Sequence, residues 1–301
     1  PESVTIMGES AGGNNVIYLL ASPLARGLFQ RVIVQSSGWS LRENQSPERY
    51  INQYKKIANQ LYKTDDLDAN LQEMRWEQVI ELMHPYFQEF GYQAVIDGHS
   101  LTTTVAEAFA REDFRATDVL IGSNADEWKR YLSGKDLFKE YAFESLKGDI
   151  ARQVIDHLSP YQDEHQALDK LITAQQYVCP SLSIAKSASL AGKKSWVYYF
   201  TKVRSGKLAR SMGAYHGAEL PYVFKTHDKW LPTSREDIEL GDIMATYWTN
   251  FAKSGNPNGA GIPLWKQFKT DTAAAQILDF PTRSARHPSN DLCKLLLVDT
   301  G

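Results

Sequence analysis

Gly8, Glu9, Ser10, Ala11 and Gly12, followed by Gly13, place a serine between glycines in the pattern G-x-S-x-G. The pattern follows the β-branched, apolar run Val4 to Met7 and precedes a helical run through Val16, Leu19 and Leu20 that ends at Pro23. Between a strand and a helix, such a turn lifts a serine hydroxyl above a sheet. Glycine is expected on both sides, because a Cβ there would strike the neighbouring strand and helix. The helix after the turn brings positive partial charge, and the Ala11 amide, to the place where a tetrahedral oxyanion would develop. Ser10 is thereby a candidate nucleophile for acyl transfer.

A serine hydroxyl needs a base to take its proton, and that base needs an acid to fix its tautomer and stabilise its cation. In strand-turn-helix serine sites the chain order is serine, acid, histidine. Val119, Leu120 and Ile121 read as a strand leading into Gly122, Ser123, Asn124, Ala125, Asp126 and Glu127, so two carboxylates follow one strand, and on position alone either could be the acid. Chain order leaves His157, His165, His216, His227 and His287 as bases. His157 and His165 lie in polar sequence and His287 adjoins Pro288 in a polar tail. His216, beside Gly217 on a loop after the strand Trp196 to Phe200, is the first candidate and His227 the second.

The elements that must position these groups are short. Val4 to Met7, Val32 to Gln35, Val119 to Ile121 and Trp196 to Phe200 read as buried strands. Leu240, Ile243, Met244, Tyr247, Trp248 and Phe251 form one apolar helix face, with Ser234 and Asp237 as a capping box and Gly255 and Pro257 as the stop. Ile51, Tyr54, Ile57 and Leu61 mark another helix. Apolar strands separated by helices, without period-two alternation, predict an α/β fold with a mostly parallel sheet covered on both faces. The site is expected beyond the carboxyl ends of its strands.

Across 301 residues there is no repeat, low-complexity tract or linker, so one continuous domain over 1–301 is expected. A net charge of −3 gives no electrostatic case for nucleic acid or an anionic membrane. No apolar run is long enough to span a bilayer. Two cysteines, Cys179 and Cys293, lack the spacing for zinc, and no metal or organic cofactor is called for. The chain starts without methionine, directly in an apolar run, and reads as cut from something longer.

Taken together, these segments resemble the type B carboxylesterases, the family of the cholinesterases and the bacterial para-nitrobenzyl esterases. Val4 to Gly13 looks like that family's nucleophile elbow. Ser22-Pro23, Gly27-Leu28-Phe29 and Gln35-Ser36 look like the segments after the elbow, and Ile121 to Glu127 looks like the family's acid loop. His216 to Phe224 looks like the histidine segment, and Phe251 to Asn258 with Trp265 looks like the closing motif. The resemblance implies an α/β-hydrolase fold, a small-molecule ester substrate and a triad of Ser10, Glu127 and His216, which settles the acid in favour of Glu127 over Asp126. It also implies that a glycine-rich oxyanion loop and several strands lie before the elbow. The chain would then be the C-terminal part of the domain, inactive by itself.

Further implications are that Ser36, or Ser37 in its place, hydrogen-bonds Glu127, and that Cys179 and Cys293 form a disulfide. Such a bridge points to a periplasmic or secreted protein; without it the localisation is open, with the cytoplasm among the possibilities. Glu9 would face the pocket, favouring a cationic or polar alcohol group or tuning the electrostatics. The chain departs from the family pattern at Ser37 before Gly38 and at Trp128, where glycine is common. The alternatives are a non-catalytic, neuroligin-like binding module and a lipase, amidase or lactone hydrolase of the same fold.

Overall fold

The computed structural model describes residues 3–43, 46–63, 71–90, 94–114, 117–132, 146, 148–161, 163–227 and 229–297. In chain order the elements are β1 (Thr5–Glu9), α1 (Ala11–Ala21), β2 (Arg31–Gln35), α2 (Pro47–Tyr62), α3 (Trp76–Phe90), α4 (Val105–Ala110) and β3 (Asp118–Asn124). Next come α5 (Gly148–Leu158), α6 (Glu164–Thr173), a π-helical turn over Ala174–Val178, α7 (Cys179–Leu190), β4 (Ser195–Phe200), α8 (Lys207–Met212) and α9 (Leu220–Val223). The chain closes with α10 (Arg235–Ser254), β5 (Ala274–Leu278), β6 (Arg283–Arg286) and α11 (Asn290–Leu297).

Among the described residues six strands form one sheet in sequence order, β1 to β5 parallel and β6 antiparallel to β5. Side chains alternate between two separate cores, as the period of a strand requires. Val32, Val34, Val119, Ile121, Val197 and Tyr199 pack with Ile17, Leu20 and Ile184 from α1 and α7. Ile33, Leu120, Trp196, Tyr198 and Phe200 pack on the other face with Leu240, Met244, Tyr247, Trp248 and Phe251 from α10. Burial on both faces is why β2, β3 and β4 read as apolar runs rather than alternating ones.

The four strands and the α10 boundaries expected from sequence are present. Ser234 and Asp237 form the reciprocal capping box, and Gly255 ends the helix with φ 73°. Three elements depart from expectation. β3 runs on through Gly122, Ser123 and Asn124, because pairing with β4 as far as Asn124–Phe200 holds these polar residues in the sheet. β5 and β6 carry no strand signal: AAQIL is short and alanine-rich, and RSAR is a polar edge.

Candidate active site

Ser10 sits between β1 and α1 with φ 57° and ψ −122°, a backbone strain that only surrounding structure can maintain. Its amide donates to the Gln35 carbonyl at 2.9 Å, anchoring the turn to β2. A Cβ on Gly8 would come within 2.2 Å of the Gly12 backbone, and one on Gly13 within 2.6 Å of the Ser37 Cβ. Gly12 itself has open space where a Cβ would point, which corrects the expectation of a collision on both sides. The crowding falls on Gly8 and Gly13, since Gly12 contributes the backbone that Gly8 approaches. Ala11 begins α1 directly after the serine.

His216 lies on the loop between α8 and α9. Its Nε2 is 2.7 Å from Ser10 Oγ and its Nδ1 is 2.6 Å from Glu127 Oε2, so the three expected residues form one hydrogen-bonded chain. Glu127 is fully buried, and its Oε1 accepts the Asn124 amide at 2.7 Å. Burial lowers the pKa of His216, but the hydrogen bond and charge of Glu127, with the charges of Glu9 and Glu219, outweigh it and hold the imidazole above its ordinary value. Glu9 Oε1 is 3.4 Å from Nε2, and burial raises the Glu9 carboxyl. The Tyr177 ring, presented by the π-helical turn, lies 5.5 Å from the imidazole.

Ser36 does not hold the acid. Its hydroxyl is fully buried and makes no hydrogen bond to Glu127, while Ser37 Oγ donates to Asn14 Oδ1 at 2.9 Å. The second oxygen of Glu127 is already taken by the Asn124 amide at the end of β3, so no hydroxyl is required there. Asn124 matters twice more. Its side-chain amide donates to Glu219 Oε2 at 2.5 Å and to the Tyr215 carbonyl, next to the base, at 2.8 Å. Glu219 also accepts from Gln35 Nε2 at 2.9 Å, and burial with the nearby Glu127 charge pushes its carboxyl up to about 7. Gln35 in turn is fixed by the Trp248 indole at 2.9 Å. Gln35 and Asn124 fall inside segments that carry the family resemblance, but nothing in those segments marks either one as a partner of the buried carboxylates.

The competing candidates lie elsewhere. Asp126 faces Lys170 and the Ala214 amide, not His216. His227 lies 3.3 Å from Arg204, His287 is buried against Tyr199, and His157 and His165 sit on α5 and α6. Cys179 and Cys293 form a disulfide that ties α11 to α7. Among the described residues no helix is long and apolar enough to cross a membrane.

A family model described as the carboxylesterase family matches residues 1–295. The chain is 27% identical to human cocaine esterase over 92% of its own length and 54% of that protein. It is 28% identical to a medium-chain fatty acyl-CoA hydrolase precursor of Anas platyrhynchos, over 95% of this chain and 56% of that one. It therefore spans a little over half the length of these curated relatives. Among solved structures, a carboxylesterase of Geobacillus stearothermophilus superposes with a TM-score of 0.82 at 24% identity, over 98% of this chain and 64% of that one. A PNB esterase superposes at 0.80 and 23%, again over 98% and 64%. These likenesses are of fold, and the fold is that of the α/β-hydrolases.

Proposed function

The chain belongs to the carboxylesterase family, and from that premise we propose that the intact protein hydrolyses carboxylic esters through an acyl-enzyme on Ser10. The observation that carries this is the unbroken Ser10, His216, Glu127 hydrogen-bonded chain. His216 Nε2 accepts the Ser10 proton as Oγ attacks the ester carbonyl carbon. The tetrahedral oxyanion forms toward the Ala11 amide at the start of α1. Collapse breaks the bond to the alkoxide, which takes the proton from His216. Water then gives a proton to His216 and attacks the acyl-enzyme, and the proton returns to Ser10 as the acid departs. Glu127 orients the imidazole throughout and stabilises its cation.

One sheet carrying all three groups supports reading residues 1–301 as part of a single hydrolase domain. The cystine supports export, periplasmic or secreted, because disulfides persist in oxidising compartments. A non-catalytic binding module has no observation in its favour, since the nucleophile that it would have lost is present and hydrogen-bonded. The test is labelling of the intact protein by a fluorophosphonate, with turnover of short para-nitrophenyl esters. Both should be abolished in Ser10→Ala, and a variant that still labels would place the nucleophile on another serine.

A further inference from the structure

Asp126 stands next to the proposed acid yet turns away from His216. Its Oδ2 accepts the Ala214 amide, two residues before His216, at 2.8 Å, and its own amide donates to the Ala214 carbonyl at 3.1 Å. Its Oδ1 is 2.5 Å from Lys170 Nζ, and the same ammonium also donates to the Ala125 carbonyl. Asp169, the neighbour of Lys170 on α6, accepts the Trp128 amide at 2.8 Å. Helix α6 thus grips the acid loop on both sides of Glu127, and Asp126 fastens that loop to the one carrying His216. The approach is close: a Cβ on Gly213, where φ is 69°, would fall 2.2 Å from Asp126 Oδ2.

Four features argue that this is more than a surface ion pair. Lys170 and Asp126 are only 19% and 16% exposed, so the pair escapes most of the screening that makes exposed pairs weak. Asp169 is fully buried. Burial opposes the Lys170 charge, but Tyr199, Asp169 and Asp126 outweigh it and hold the ammonium charged, while burial raises Asp169 to about 6. The atoms gripped are those that fix Glu127, a residue that must meet Nδ1 within a few tenths of an ångström.

We infer that Lys170 and Asp126, braced by Asp169, are positioning residues that latch the acid loop to the base loop and so set the Glu127–His216 hydrogen bond. The inference rests on the triad reading above. Loosening the latch leaves Ser10 and the substrate surfaces in place and weakens what holds the imidazolium. The groups facing His216 are Glu127, Glu9, Glu219 and the Tyr177 ring, and of these only Glu127 is on the latched loop.

The experiment compares kcat, KM and the pH dependence of kcat for wild type, Lys170→Met, Lys170→Arg and Asp126→Asn in the intact protein, each normalised to sites titrated with fluorophosphonate. For Lys170→Met, kcat per titrated site should fall roughly 10- to 100-fold, the scale of a small misplacement near the chemistry. KM should barely change, and the acidic limb should move to lower pH because His216 loses support for its charged form. Lys170→Arg, which keeps the charge, should stay near wild type. Asp126→Asn, which keeps the shape, should shift the same limb if Lys170→Met does not fold. Unchanged per-site kcat and limb in the folded variants would overturn the latch, as would arginine failing as fully as methionine. A Ser10→Ala protein that still labels would overturn the triad reading and the latch with it, whereas an unlabelled Ser10→Ala beside unaltered latch variants would overturn the latch alone.

Discussion

At the elbow, Ser10 is fixed by its own backbone, with φ 57° and glycines two and three residues away, whereas Glu127 and His216, 89 residues apart, are fixed by side chains drawn from several other elements. The first arrangement is steric and local, and it is written into six consecutive residues. The second is polar and distributed: Asn124 from β3, Gln35 from β2, Glu219 from α9's N-terminus, and Asp169 and Lys170 from α6. A steric device fails when volume is added. A polar device fails when a charge or a donor is removed.

Removal of either reacting partner tests this difference at its largest scale. Ser10→Ala should lower kcat by about 10⁶-fold, the scale seen when a triad serine is lost. Glu127→Gln should cost about 10⁴-fold, because an amide can hold the imidazole without stabilising its cation. The pH profile separates the two further. Only neutral His216 can act as base, and its pKa is held above 6.5, so wild-type kcat/KM should fall as pH drops through a value above 6.5. In Glu127→Gln that limb should move down. A limb that stays in place would assign the raised pKa to Glu9 and Glu219 instead.

Glycine substitutions test the steric side at intermediate scale. Gly8→Ala forces a methyl group into the Gly12 backbone, which cannot move as a side chain tip can, and should cost about 3 kcal/mol or more in denaturant unfolding, with loss of ester turnover. Gly12→Ala meets nothing and lies in α1, so its stability should hold or rise by about 0.5–1 kcal/mol. Equal destabilisation by the two would break the account of the elbow.

The same contrast explains what the sequence discloses. The elbow, the order of serine, acid and base, and the four strands that carry them are legible, because each rests on a contiguous run of residues whose types permit few conformations. The choice of Glu127 over Asp126 needed the family resemblance, since two adjacent carboxylates differ only in which way the loop turns them. Ser36 was misplaced for a related reason. A buried acid needs donors, but the donor proved to be a backbone amide, which every residue carries and no motif announces. Lys170 and Asp169 are ordinary helical charges until α6 packs on the acid loop, and β6 is an edge strand whose arginines read as loop.

Acid stability should separate from acid activity, because the most perturbed histidine lies outside both regions. His287 is buried against the Tyr199 ring, with centroids 4.7 Å apart, and its Nδ1 accepts the Ser289 amide at 3.2 Å, so the folded protein holds it neutral. Burial lowers its pKa from 6.5 to about 3. The unfolded chain binds this proton below pH 6.5 and the folded chain does not until near pH 3, so stability is complete above 6.5 and drains away as pH falls through that window. His287→Gln keeps an acceptor for Ser289 but cannot be protonated, and its Tm should decline less steeply between about pH 7 and about pH 4, by roughly several degrees over that span. The acidic limb of its kcat profile should match wild type, because His216 and its carboxylates are untouched. Parallel Tm slopes in the two proteins would exclude His287 as a source of acid sensitivity, and a shifted activity limb would show that the far end of the sheet reaches the catalytic loops after all.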